Sequence, residues 1–150
     1  MRFVTLLILT LALSCGLCQA QSLKFGDELP RLDVNSSVNL RKIDKQYTCL
    51  VFMHSKSDLS LEAISEFRSA SRDFVDGMAI VFITPEDSLD RRILEDADIV
   101  AFDNNGRTFA NFGVRFVPFA VVYKTRGRVV MWFGPLAQLD HQTFNEFNRL

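Results

Sequence analysis

Apolar and polar residues along this chain switch between two periods. Leu50, Val51, Phe52 and Met53 form a short unbroken apolar run, the pattern of a strand covered on both faces. After a polar break, Ala63, Phe67, Ala70 and Phe74 recur at helical spacing with Ile64 beside them, which predicts an amphipathic helix. Ser57 stands where an N-cap is needed, and Asp58 suits the positive end of the helix dipole. Strand, tight turn and helix therefore follow one another, and side chains are presented at the helix N-terminus.

The remaining pattern extends this unit in both directions. Residues 23–32 form an extended or turning segment around Gly26, Asp27 and Pro30, and residues 34–40 predict a short hairpin about Asn35-Ser36-Ser37. Met78–Thr84 is a second fully buried strand stopped by Pro85, followed by a short helix over 87–95. Residues 99–102 predict a brief strand ending at the Asp103-Asn104-Asn105-Gly106 turn, and residues 108–112 one or two helical turns ending at Gly113. Residues 119–123 and 128–133 read as a hairpin around Thr125-Arg126-Gly127, broken by Gly134-Pro135. Asp140 or Thr143 starts a final helix through Phe144 and Phe147. The order β-α-β-α-β-(α)-β-β-α predicts one α/β domain, a mixed sheet with helices on both faces.

The first 20 residues change the picture. Arg2, the apolar run over residues 3–13 and Cys18-Gln19-Ala20 read as a secretory signal peptide, leaving residues 21–150 as the domain. Export to a periplasm or to the outside is the expectation, with no transmembrane segment once the signal is removed. A lipid anchor through Cys15 is the alternative, and Ala12-Leu13-Ser14 matches the required lipobox poorly. In a eukaryotic host, Asn35-Ser36-Ser37 would also be a glycosylation sequon. Removing the segment takes away Arg2 and no acid, shifting the net charge from −1 to −2, so the basic footprint of a nucleic-acid binder is missing.

Chemistry-bearing residues are sparse. Cys15 and Cys18 fall in the signal segment, so Cys49 is the one cysteine of the remaining chain, set within an apolar strand where it packs as a small hydrophobe. His54 and His141 show no metal-ligand spacing with it, and no metal or cofactor is expected. His54, Ser57 and Asp58 are close in sequence, which allows a Ser–His nucleophile to be imagined. Such a site needs the base in hydrogen-bond reach and an orienting third group.

Several passages together resemble the thioredoxin-like superfamily, in particular its redoxin branch of exported thiol–disulfide oxidoreductases. Gly26-Asp27-Glu28-Leu29-Pro30 is similar to that branch's opening Gly-Asp-x-x-Pro, and Val38-Asn39-Leu40 to its small N-terminal strand. Residues 50–60 resemble the strand that runs into Trp-Cys-x-x-Cys, and Asp103, Gly113, Val114 and Val117-Pro118-Phe119 the passage before the cis-proline. Arg126-Gly127-Arg128-Val129-Val130 and Gly134 resemble its closing hairpin.

The resemblance implies a thioredoxin-like three-layer sandwich, a cis Val117–Pro118 bond facing the Ser57 turn, and a groove at Ser57, Ser60, Val117, Pro118 and Phe119. Such a groove would hold an extended peptide by strand addition. The departures are equally specific. Ser57 and Ser60 stand at the two thiol positions, Lys56 at the tryptophan, Val51 at the buried carboxylate, and no cysteine follows Cys49. A serine hydroxyl neither ionises readily nor forms a disulfide, so thiol exchange by this chain alone is excluded. The expectation is an exported, redox-inactive module for a protein or extended peptide. The alternatives are an oxidoreductase relative acting with a partner's thiols and a non-redox enzyme using Ser57 and His54.

Overall fold

The computed structural model describes residues 22–72, 77–87, 99–147 and 149. The 1–20 segment, the 87–95 helix beyond Asp87, and Phe74 lie outside the described residues. Among those described, the chain runs β1 (Asn35–Ser36), β2 (Tyr47–Phe52), α1 (Asp58–Ser71), β3 (Met78–Thr84), β4 (Ile99–Phe102), α2 (Arg107–Asn111), β5 (Phe119–Lys124), β6 (Val129–Pro135) and α3 (His141–Phe147). The strands form one mixed sheet in the order β1-β4-β3-β2-β5-β6.

β2 is the centre. It runs parallel to β3, with Tyr47 opposite Met78 and Phe52 opposite Ile83, and antiparallel to β5, with Tyr47 opposite Lys124 and Phe52 opposite Phe119. Both of its edges are paired, and every one of its residues is buried, which explains its unbroken apolar run. Strand periodicity then sorts its side chains. Tyr47, Cys49, Val51 and the following Met53 pack with Ala63, Ile64 and Phe67 of α1 and Phe144 and Phe147 of α3. Leu50 and Phe52 point to the other face and pack with Phe112, Leu29, Tyr123 and Val130. The result is a three-layer sandwich.

Local chemistry accounts for the helix ends. The Ser57 hydroxyl accepts from the Ser60 amide at 3.4 Å and begins α1. Of the two candidate starts for the last helix, Asp140 caps it. Its carboxylate accepts from the Thr143 amide and hydroxyl, both at 3.0 Å, and those bonds, the amide first, hold its pKa below the usual carboxylate value. The Tyr47 hydroxyl donates to the Phe147 carbonyl at 3.2 Å and ties α3 to the base of β2.

Three expectations are corrected. Residues 34–40 form no hairpin, and Val38-Asn39-Leu40 is not a strand. Asn35 and Ser36 instead pair antiparallel with Phe102 and Ala101 of β4, and a 3-10 turn follows at Leu40–Lys42. The Ser36 hydroxyl donates to Val100 O, and the Asn39 side chain accepts from the Arg41 amide, so polar side chains divert the backbone from a local hairpin. Gly134-Pro135 does not break β6, because Ala120 pairs with Gly134 and Phe119 with Pro135. β6 lies at the end of the sheet order, where a proline's missing N–H leaves no ladder bond unmade. The start of that outer edge is covered by residues 26–29. Gly26 and Leu29 donate to Val130 O and Arg128 O, and Val130 donates to Asp27 O.

Candidate functional site

The ends of two adjacent strands bring the site together. Phe52 ends β2 directly opposite Phe119, which begins β5. The Ser57 turn leaves one strand and Pro118 enters the other, so the register places both at the same end of the sheet. The turn is closed by Ser57 N–H donating to His54 O at 3.2 Å. Glu86 reaches it from the end of β3, where one carboxylate oxygen accepts both the Ser55 hydroxyl and, at 3.2 Å, the Ser55 amide. On the facing segment the Val117–Pro118 bond is cis, and Leu136 N–H donates to Pro118 O at 3.1 Å.

Beneath these loops lies an aromatic floor. Phe109 meets the Phe52 ring edge-on at 5.1 Å, Phe112 lies 5.2 Å from it, and Phe116 stands edge-on to Phe119 at 5.5 Å. Asp103 positions Phe109. Wholly buried at the end of β4, its carboxylate accepts from the Thr108 amide at 3.2 Å and the Phe109 amide at 2.8 Å, taking two otherwise orphaned donors at the start of α2.

The sequence-predicted site residues separate by depth. Ser57, Val117, Pro118 and Phe119 are half-buried at the rim. Ser60 is fully buried on the sheet-facing side of α1 with Ala63, Ile64 and Phe67, and its hydroxyl has no hydrogen-bond partner among the described residues. It lies within the core rather than at the rim. His54 is exposed and its ring packs 6.1 Å from that of Phe109, while its backbone carbonyl meets the Ser57 amide. No His54–Ser57 side-chain hydrogen bond is present among the described residues, so the geometry does not prepare a serine nucleophile. Cys49 is fully buried in mid-strand, and burial pushes its thiol well above the usual range. No group of three or more His, Cys, Asp or Glu among the described residues is arranged to hold a metal ion.

Four contributors escape a reading of the residues in order. Glu86 acts on a residue 31 positions away, and nothing in its neighbourhood signals the contact. Asp103 is recognisable only as a turn residue. Leu59 and Phe116, 71% and 52% exposed, flank the rim as unpaid-for apolar surface, and their exposure becomes visible only once their neighbours are placed. The backbone of Arg115, Phe116 and Val117 makes no hydrogen bond with another described residue, leaving a short free edge beside Pro118.

The fold is thioredoxin-like. A thioredoxin-like protein from Bacteroides caccae superimposes with a TM-score of 0.67 at 14% identity, over 85% of this chain and 50% of its own. The chain thus spans half the length of that relative. The thioredoxin domain of a Bacteroides vulgatus thiol-disulfide oxidoreductase matches at 0.62 and 13% identity, over 84% of this chain and 99% of its own. An exposed lipoprotein thioredoxin from Streptococcus pneumoniae matches at 0.56 and 14%, over 74% and 90%. No protein-family model and no curated protein sequence matches the chain.

Proposed function

We propose that this chain is an exported, redox-inactive thioredoxin-like domain that grips an extended segment of a partner protein. The observation that carries the reading is the free backbone edge of Arg115, Phe116 and Val117 beside the Ser57 turn. An extended peptide can add its own amides and carbonyls to such an edge. Phe116 and Leu59 supply apolar contacts on either side, and half-buried Phe119 forms part of the floor. Side-chain pockets would give the preference, and backbone pairing the grip.

The same region has no means of exchanging electrons by itself. Ser57 and Ser60 stand where the resemblance places thiols, and Cys49 is sealed between the sheet and α1. Export is supported by the composition of residues 1–20 and by the exposed lipoprotein among the structural relatives. Among the described residues no helix is long and apolar enough to cross a membrane.

Crosslinking in the native compartment followed by capture of the tagged protein tests the reading. Wild type is expected to retain a defined set of proteins, and Pro118→Ala or the pair Leu59→Ser and Phe116→Ser to lose it. An identical set from all three would refute groove binding. Insulin reduction by the purified protein would refute the redox-inactive part.

A further inference from the structure

At the other end of the sheet a second concave region carries an unusual charge. A cleft of about 560 Å³ opens between the N-terminal segment, the 3-10 turn at Leu40–Lys42 and the β5–β6 hairpin, and Arg31, Arg41 and Arg128 line it without any acid. An adjoining cleft of about 520 Å³ shares these arginines and Leu40, and adds Tyr123 and a single acid, Glu28. Three arginines thus line one cleft of a chain whose net charge is −1.

None of the three is neutralised within the described structure. The ion pairs of this region use other arginines, Arg107 with Asp33 and Arg126 with Asp44, while among the described residues Arg31, Arg41 and Arg128 make their hydrogen bonds through the backbone, with Asn111, Asn39 and Leu29, and none forms an ion pair. Like charges held together without a counterion repel one another, and a bound anion removes that repulsion. The guanidinium fork suits carboxylate and phosphate oxygens.

A separate observation concerns the backbone. Arg128 has φ of 55°, the left-handed region, where glycine or asparagine is the unstrained choice. An arginine is nevertheless placed there, its side chain on the cleft wall. Leu32 and Leu40 provide an apolar wall beside the charges. The volume matches a small organic molecule rather than a macromolecular surface.

We propose that this three-arginine cleft binds a small organic polyanion, of the phosphate-ester or polycarboxylate kind. The site is independent of the Ser57 groove. Arg128 directly precedes β6, whose first residue pairs with Lys124, whereas Pro118 precedes Phe119 at the opposite end of the same strand. The six residues of β5 separate the two regions by about 17 Å.

Titration of the purified protein at low salt, followed by calorimetry and by backbone amide shifts, tests the proposal with pyrophosphate and citrate as probes. Saturable one-site binding is expected, with shifts at residues 39–41 and 127–129 and affinity falling as salt rises. Arg41→Gln and, separately, Arg128→Asn should each weaken it about tenfold, as loss of a charge-assisted hydrogen bond does. Asparagine is compatible with the backbone at 128, so that variant keeps the fold, which circular dichroism verifies. Tighter pyrophosphate binding assigns phosphate esters, and tighter citrate binding assigns polycarboxylates. Absence of saturation with both probes, shifts centred elsewhere, or affinities unchanged in both folded variants would overturn the proposal.

Discussion

Phe52 and Phe119 face each other across the β2–β5 pair, their ring centroids 6.4 Å apart and their planes inclined by 56°. This pairing brings two distant loops to one end of the sheet. Because β2 ends at Phe52 and β5 begins at Phe119, the Ser57 turn and the Val117–Pro118 segment emerge as neighbours. Phe52 belongs to the core and half-buried Phe119 packs against it, so perturbing either ring should disturb both loops.

Asp103 should prove to be a strong structural anchor for that floor. Asp103→Ala leaves the Thr108 and Phe109 amides without their acceptor, in a place water reaches poorly. A loss of about 2–3 kcal/mol is expected from buried donors left unmade, read as a lower urea midpoint with unchanged slope. A loss below half of that would show that the helix start rearranges to find other acceptors.

Cys49 should be silent to reagents and visible in the alkaline stability profile. Its folded thiol is held neutral by burial, so the unfolded chain releases its proton first as pH rises. The stabilisation is complete below the ordinary thiol value of about 8.5 and falls above it, by up to about 1.4 kcal/mol per pH unit. Tyr123, its pKa also raised chiefly by burial, adds the same sign of effect above about 10. Urea midpoints at neutral and alkaline pH should diverge, and Cys49→Ala should reduce the divergence. Maleimide labelling of the folded protein at neutral pH would contradict the buried placement.

Tyr47→Phe isolates one hydroxyl. It removes the bond to the Phe147 carbonyl while keeping the ring contact at 5.9 Å. The expected loss is about 1 kcal/mol, concentrated in hydrogen exchange of α3. Exchange that accelerates uniformly throughout the domain would show that α3 does not open separately.

Restoring sulfur tests the scaffold directly. With both Ser57→Cys and Ser60→Cys, a thiol would stand at the N-cap of a 14-residue helix, where the dipole lowers a thiol pKa. Oxidant should close an internal disulfide in the variant, seen as the loss of two hydrogens by mass, and the variant in its dithiol form, recycled by dithiothreitol, should reduce insulin disulfides where wild type does not. A variant that stays a dithiol under oxidant would show that the α1 start no longer has the geometry for the chemistry.

Much of this architecture is legible in residue order because it depends on near neighbours. The strands at Met78–Thr84 and Ile99–Phe102 follow from unbroken apolar runs, although Ala79, Ile80 and all of the second strand but Ala101 are only half-buried, while the α1 start follows from Ser57 and the single cysteine beyond residue 20 from composition alone. Contacts between distant segments obey no such local rule. Asn35 and Ser36 find β4 rather than each other's neighbours, Pro135 is accommodated because β6 is an edge, and Ser60 is withdrawn beneath the surface by its place on the α1 face. Glu86 closes the Ser55 turn, and Arg31, Arg41 and Arg128 share one cleft, only after the sheet has drawn together segments that are tens of residues apart. Periodicity records whether a side chain faces water or the core, but the identity of its partner is settled by strand order and register.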